Sequence, residues 1–477
     1  MFAGAGLVIG TLVVLSPTLA GLTALAIAAA GVIIGRSRRS MPRTQSFADL
    51  DPRLRILLQV LPLAFGLASY SRTIGTVALG ALAIFMAPSI YVPPPRSFGV
   101  RHAVAGGVVG FVLAISRTGY RTQSLSAIVL MLAFMHVWRF GVDRKEAFLA
   151  VMRGVGYYLL ANVVAYYVLG LRSPSAAGRL GGYESSIGLT SLRIFFPLAL
   201  SLAAPPILAS AYFVWGLRPV LRGRASRIDV ALFASAVFVL LAADYRVPIV
   251  VAVVVGALEM FRPRAAVAIA LPVFFVVALT PFWWNNGHNP AFAAIDAATG
   301  SGALKRGSEL DDARTLQNRT KIWAETTRTF ADAGVYHQLV GYGPDGQVRS
   351  GVTSRLRGLT RGFVASGTSS ISAHNSVLQT LLDGGFALTL LLLGMIVLAL
   401  RESADLPAAD DGGSLTTVLL ALCVSAGTEV SLAPATRSEV SWVFLLLCGC
   451  AALRYQRPST ASAALRTGTV RRESRIA

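Results

Sequence analysis

Apolar runs recur along this chain, each roughly 17–24 residues long, which is what a helix needs to cross the hydrocarbon of a bilayer. Arginines, glycines and prolines cut them off from one another. This pattern constrains the fold more than any single motif. In lipid, only helices and closed barrels satisfy their own backbone hydrogen bonds. Barrel strands would read as short alternating segments, and the sequence shows none. The expected fold is therefore an all-α polytopic membrane protein. Composition agrees, with 54% of residues hydrophobic and only 14% charged. A net charge of +20 would suggest nucleic acid for a soluble chain. Here the arginines gather in short loops, where they set orientation in the membrane. The partner they imply is a lipid bilayer, not nucleic acid.

Leu7 to Gly35 is an apolar block broken by Ser16-Pro17-Thr18. It spans about 29 residues, or roughly 44 Å as helix, long for one crossing and short for two. One span and two spans both stay open. Arg36, Arg38, Arg39, Arg43, Arg53 and Arg55 follow, the strongest cytoplasmic signal in the chain. From that anchor, spans are expected at 54–70, 73–92, 102–118, 123–140, 146–170, 194–216, 229–244, 246–261, 265–284, 377–400, 415–433 and 439–455. Charge supports the alternation, because most loops on the inner side carry arginine. The loop from Arg401 to Gly413 is acidic and lends no support.

Five regions follow. Residues 1–53 are an N-terminal apolar segment and basic loop, and 54–284 are a nine-span bundle. Residues 285–376 are an extracytoplasmic loop domain, too long for a passive connection. Residues 377–455 add three spans, and 456–477 form a basic, disordered cytoplasmic tail. The total is about twelve to fourteen transmembrane helices, with the large loop between the ninth and tenth main spans. The start lacks a basic region followed by a small-residue cleavage site, so no cleaved signal peptide is expected. Cys423, Cys448 and Cys450 lie inside apolar spans and read as small buried hydrophobes. No metal-ligand spacing is evident and no cofactor is expected.

Charged groups at membrane depth are costly and are functional candidates for that reason. In this topology they collect at the outer ends of spans. Arg193 precedes one span. Asp244, Tyr245 and Arg246 form the tip of an outward hairpin. Glu429 lies near the outer end of its span, and Asp383 lies below His374. Within the large loop, Ala313 to Ala333 has helical periodicity. Leu316, Arg319, Trp323 and Phe330 share one face, so Arg319 should point toward the bundle. Arginine grips phosphate through a planar fork of donors, and histidine accepts a proton near neutral pH. Such a mouth suits glycosyl transfer, in which a diphosphate departs and a sugar hydroxyl attacks.

The pattern Arg319-x-x-x-Trp323, Leu339-Val-Gly-Tyr-Gly343, then His374-Asn375-x-x-Leu378-Gln379 leading to Gly384-Gly385 resembles the core of the O-antigen ligase/polymerase superfamily. Tyr245-Arg246 is similar to that family's Ser-Arg hairpin tip, with Tyr in place of Ser. Arg193, ahead of Phe195-Phe196-Pro197, resembles a further family arginine. The likeness covers Arg193 to Leu400 and leaves out 1–53. It implies metal-independent, inverting transfer of a glycan from a polyprenyl diphosphate carrier to a hydroxyl on a glycan, glycolipid or other acceptor. The reaction would run at the outer face of a bacterial cytoplasmic membrane. It also implies that Arg246 and Arg319 bind the diphosphate, with Arg193 as a further contact, and that His374 is the general base. Asn375, Tyr245, Asp383 and Glu429 would support them, with Asp383 and Glu429 as partners of the arginines.

Each residue has a plainer reading: a helix-capping histidine, a solvated helix arginine, a snorkelling arginine at a hairpin tip. His102, His136 and His337 are read as structural, and His288 as a loop residue. Two other functions stay open. A flippase for lipid-linked glycans would need polar groups through the depth of the bundle. A non-catalytic envelope partner would tolerate loss of His374.

Overall fold

The computed structural model describes residues 52–87, 99–116, 121–139, 143–173, 193–199, 201–283, 319–356, 372–403, 414–427, 429–435 and 438–453. Among these residues the chain is helical and has no strand. The apolar block 7–35, His288, Leu316 and the segment 456–477 lie outside the described residues.

Each predicted span has a helix. They are α1 (Pro52–Tyr70), α2 (Arg72–Met86), α3 (Val100–Ile115), α4 (Arg121–Arg139), α5 (Arg144–Tyr167), α6 (Ala204–Leu221), α7 (Arg227–Ala243), α8 (Arg246–Phe261) and α9 (Pro263–Ala278). A short α10 (Thr280–Trp283) follows. The large loop contributes α11 (Arg319–Ala331), α12 (Val335–Val340), α13 (Gly346–Arg349) and α14 (Val352–Arg355). The bundle closes with α15 (Ser376–Ser403), α16 (Leu415–Ala426) and α17 (Glu439–Ala451). Two of these, α5 and α15, are long and apolar enough to cross a membrane; most of the other bundle helices are apolar but shorter.

α17 sits at the centre. Its sequence has no polar face, and every residue from Glu439 to Ala451 is buried. The enclosure comes from its neighbours, since α17 touches α1, α3, α4, α5, α6, α15 and α16. The outer helices show the complement. Ile84 on α2, Val253 on α8 and Leu390 on α15 are 77%, 60% and 65% exposed, so apolar side chains face outward as well as inward.

Two predicted spans are corrected. The span expected at 194–216 becomes helical only at Ala204, where Pro205 and Pro206 occupy first-turn positions that need no amide donor. The described residues before it are non-helical and largely buried, and α5 and α7 supply hydrogen bonds to them. The Leu198 amide donates to Asn162 Oδ1 at 2.9 Å, the Tyr158 hydroxyl lies 2.9 Å from the Leu198 carbonyl, and the Ile194 amide donates to the Ala242 carbonyl at 3.0 Å. The span expected at 415–433 ends at Ala426, so Glu429 lies in an irregular segment beyond the helix. Serines on neighbouring helix starts hold that segment. Ser376 Oγ donates to the Glu429 carbonyl at 2.8 Å and accepts from the Leu432 amide at 3.0 Å. Ser441 Oγ reaches the carbonyls of Ser431 and Ala433.

α15 is broken at Gly385, whose φ of 62° is closed to ordinary residues. The carbonyls of Leu382 and Asp383 lie just before the break. The amides of Tyr342 and Gly343 take them at 2.7 and 2.9 Å. The approach is close enough that a Cβ on Gly341 would lie 2.4 Å from the Gly384 nitrogen, and one on Gly385 would lie 2.4 Å from the Leu339 carbonyl carbon. The Gly-Tyr-Gly and Gly-Gly motifs are therefore two halves of one backbone junction, and it docks the described part of the large loop onto the first half of α15.

Candidate functional site

Four sequence-predicted residues from four parts of the chain meet at one end of the bundle. They are Tyr245 between α7 and α8, Arg319 at the start of α11, His374 ahead of α15, and Glu429 after α16. Glu429 is the centre. Arg319 Nη2 lies 2.8 Å from its Oε1, and the Tyr245 hydroxyl donates to the same oxygen. Arg319 Nη2 is also 3.3 Å from the Tyr245 oxygen. On the other side, His374 Nδ1 stands 3.6 Å from Oε2. That is an ion-pair distance and too long for a hydrogen bond, and Nδ1 is buried with no hydrogen-bond partner. The Arg319 and Glu429 side chains are 15% and 12% exposed, whereas His374 is 33% exposed.

Local sequence explains the placement. On α11, four-residue spacing puts Arg319 and Trp323 on one face, as expected. Trp323 is fully buried, and its indole donates to the Ala373 carbonyl at 3.0 Å. Gln379 Oε1 accepts the Ala373 amide at 3.2 Å. Asn375 Oδ1 caps α15 by accepting from the Val377 and Leu378 amides at 3.0 Å each, and its Nδ2 donates to the Gly427 carbonyl at 3.1 Å. His374 is thus fixed on both sides, and it adopts φ 46°. A left-handed conformation at a non-glycine residue costs on the order of 1–3 kcal/mol and persists only where the surroundings impose it. The same bonds explain why Trp, Asn and Gln accompany the histidine in the sequence pattern.

Burial acts to raise the Glu429 pKa, but His374, Arg319 and the Tyr245 hydroxyl outweigh it and hold the carboxyl at about 2. Burial, reinforced by the Glu429 charge, pushes the Tyr245 phenol upward, so it stays a donor. Burial works against the Arg319 charge, yet Glu429 beside it raises the pKa and keeps the pair ionised.

The other candidates divide. Arg246 opens α8 next to Tyr245; it is exposed and has no ion-pair or hydrogen-bond partner among the described residues. Arg193 is 9% exposed and lies 3.5 Å from Asp244, a fully buried residue with φ 46° that ends α7. Its charge is engaged in holding the hairpin tip. Asp383 is a correction, because it does not partner the arginines. It is fully buried and accepts the Gly346 amide and Gln379 Nε2, each at 2.8 Å. Its place beside the Tyr342-Gly343 junction makes it an anchor for the loop. Gln347, Gln379 and Ser376 complete these supports. Gln379 belongs to the sequence pattern, whereas nothing in the sequence singled out Gln347 or Ser376. His102 Nδ1 accepts the Gly99 amide, and His337 stacks on Tyr342.

No protein-family model matches this chain. Its sequence has no match among curated proteins either.

Among the described residues no three His, Cys, Asp or Glu side chains gather as a metal donor set. A lateral groove of about 420 Å³ lies between α1 and α2, but Leu63, Leu67, Leu82 and their apolar neighbours line it, and it carries none of this chemistry. What the polar cluster offers is a histidine facing a carboxylate through Nδ1, an arginine fork on that same carboxylate, and a second arginine exposed nearby in sequence. This arrangement can accept one proton and hold an anion.

Proposed function

We propose that this chain is a multi-span membrane glycosyltransferase that moves a glycan from a polyprenyl diphosphate to an acceptor hydroxyl at the outer face of a bacterial cytoplasmic membrane. The observation that carries the reading is the meeting of His374, Glu429, Arg319 and Tyr245 at one end of an apolar bundle. The outward apolar side chains of α2, α8 and α15 support burial in lipid.

In the reaction, the acceptor oxygen attacks the anomeric carbon. The new carbon–oxygen bond forms as the bond to the diphosphate breaks, and the polyprenyl diphosphate leaves with the bonding electrons. The acceptor proton passes to Nε2 of His374. The Nδ1 side faces Glu429, whose carboxylate stabilises the imidazolium that results. Arg319 and Arg246 meet the charge that grows on the departing diphosphate, an electrostatic contribution made before the bond breaks.

The test is the pool of lipid-linked glycan in cells carrying His374→Ala at native expression, beside wild type and a deletion. The expected result is mutant protein in the membrane, donor accumulating on the outer leaflet, and loss of the transferred product. If pool and product match wild type while the deletion is defective, His374 is not the base and a flippase or assembly role takes its place.

A further inference from the structure

Glu429 is placed between two groups that the proposed transfer uses in succession. Its Oε1 holds Arg319 at 2.8 Å, so in the empty site the arginine's charge is already answered by a carboxylate. Its Oε2 faces His374 Nδ1 at 3.6 Å. A charge-assisted hydrogen bond would sit at about 2.7–2.9 Å, so the gap is under ~1 Å. Nδ1 is buried and has no other hydrogen-bond partner, which leaves Glu429 as the group in position to orient the ring. The Tyr245 hydroxyl, also on Oε1, can follow the carboxylate or turn to an incoming anion, because it donates to either.

A diphosphate competes directly with Glu429 for Arg319. It carries more charge than a carboxylate and matches the planar guanidinium fork. Once the arginine turns to phosphate, Glu429 loses its strongest partner, and the nearest remaining cation-forming group is His374. We infer that Glu429 is a donor-sensing positioning residue: it neutralises Arg319 while the site is empty and moves onto His374 Nδ1 when a diphosphate takes the arginine. The base is then oriented only when a donor is present, which limits unproductive chemistry at an open site. This inference rests on the transfer reading above.

The experiment uses the full chain in lipid nanodiscs with ¹⁵N-labelled histidine. The chain has five histidines, and His374→Asn assigns the relevant signal. Farnesyl diphosphate is the probe. Wild type should bind it, and the His374 imidazole signals should shift to those of a ring donating through Nδ1. In Glu429→Gln, binding should be as tight or several-fold tighter, since the competing carboxylate is gone, and the His374 shift should vanish. Transfer assays should show the same split, with KM for the donor unchanged or lower and kcat strongly reduced. Glu429→Asp should recover part of kcat.

If wild type binds the probe but the His374 signal does not move, the coupling is wrong while the transfer reading stands. A shift of equal size in Glu429→Gln also overturns the coupling. If wild type does not bind the diphosphate at all, the transfer reading fails and takes the coupling with it. Should Glu429→Gln misfold, the wild-type titration alone still decides whether His374 senses the anion.

Discussion

At the end of the bundle that holds Arg144, charged side chains close off helix termini. At the end that holds His374, they are shared between partners or stand short of one. Arg144 is 3% exposed; its Nε donates to the Leu453 carbonyl at 2.7 Å, and its Nη1 donates to the Glu402 carbonyl. It thereby bonds a carbonyl in the last turn of α15 and one just past the end of α17. Arg101 adds an ion pair to the Glu402 carboxylate at 2.7 Å. Nearby, Glu259 of α8 accepts the Ser414 amide at the start of α16 at 3.2 Å. Orphan groups at helix ends are satisfied here by side chains from neighbouring helices, and these bonds tie α3, α5, α8, α15, α16 and α17 together.

The opposite end differs. Glu429 serves Arg319 and Tyr245 through one oxygen and faces an unbonded histidine nitrogen with the other. Two non-glycine residues there, Asp244 and His374, hold left-handed backbone. Charges such as Arg144, bonded to carbonyls at helix ends, report architecture. Strained or contested ones are where a ligand can change the arrangement.

This contrast predicts a double dissociation. His374→Ala should lower transfer by about 10²–10⁴-fold, the usual contribution of a positioned base, while the thermal midpoint of the purified protein barely moves. A midpoint falling as steeply as activity would place His374 with the structural charges. Arg144→Ala should do the reverse. Removing one member of a buried charged network costs roughly 3–5 kcal/mol, to be read as a lower unfolding midpoint and reduced membrane yield. Activity per folded molecule should be retained.

Gly385→Ala tests the junction between the two regions. A Cβ there meets the Leu339 backbone at 2.4 Å, and φ is 62°. About 1–3 kcal/mol of backbone strain, plus the clash, should detach the 335–356 segment. Limited proteolysis should then cut within it sooner than in wild type, and cleavage unchanged from wild type would mean that the glycine junction does not dock the loop.

The smallest expected effect is an absence of pH dependence. Glu429 is held at about 2 against an ordinary carboxyl value of 4.5. A depressed carboxyl stabilises the fold fully above the unfolded value and loses that contribution as pH falls through the folded one. The gap in thermal midpoint between wild type and Glu429→Gln should therefore stay constant over about pH 5 to 8 and close only under stronger acid. A gap that changes near neutrality would show that a second group facing the carboxylate contributes to the stability it confers.

Much of the helix layout was legible in the sequence, since apolar runs and their arginine boundaries follow from the cost of burying backbone and charge. The Arg319–Trp323 face was legible from helical periodicity, whereas it was the fold that gave the capping of α15 to Asn375 and not to His374. The ends of two helices were not legible. Residues 194–199, 201–203 and 429–433 fall within runs that read as span in one dimension, and they lie outside the helices, where Asn162, Tyr158, Ser376 and Ser441 bond their backbones from elsewhere in the chain.

The sequence by itself determined that apolar helices would dominate and that its charges would gather at their ends, because hydropathy and periodicity act over short stretches. Only the tertiary structure decided how those charges were matched. Arg193 went to Asp244, Asp383 to the loop amides, and Arg319 to a carboxylate more than a hundred residues away, with His374 on its far side. Pairing depends on distances of a few ångströms between distant segments, and no local pattern in a sequence records them.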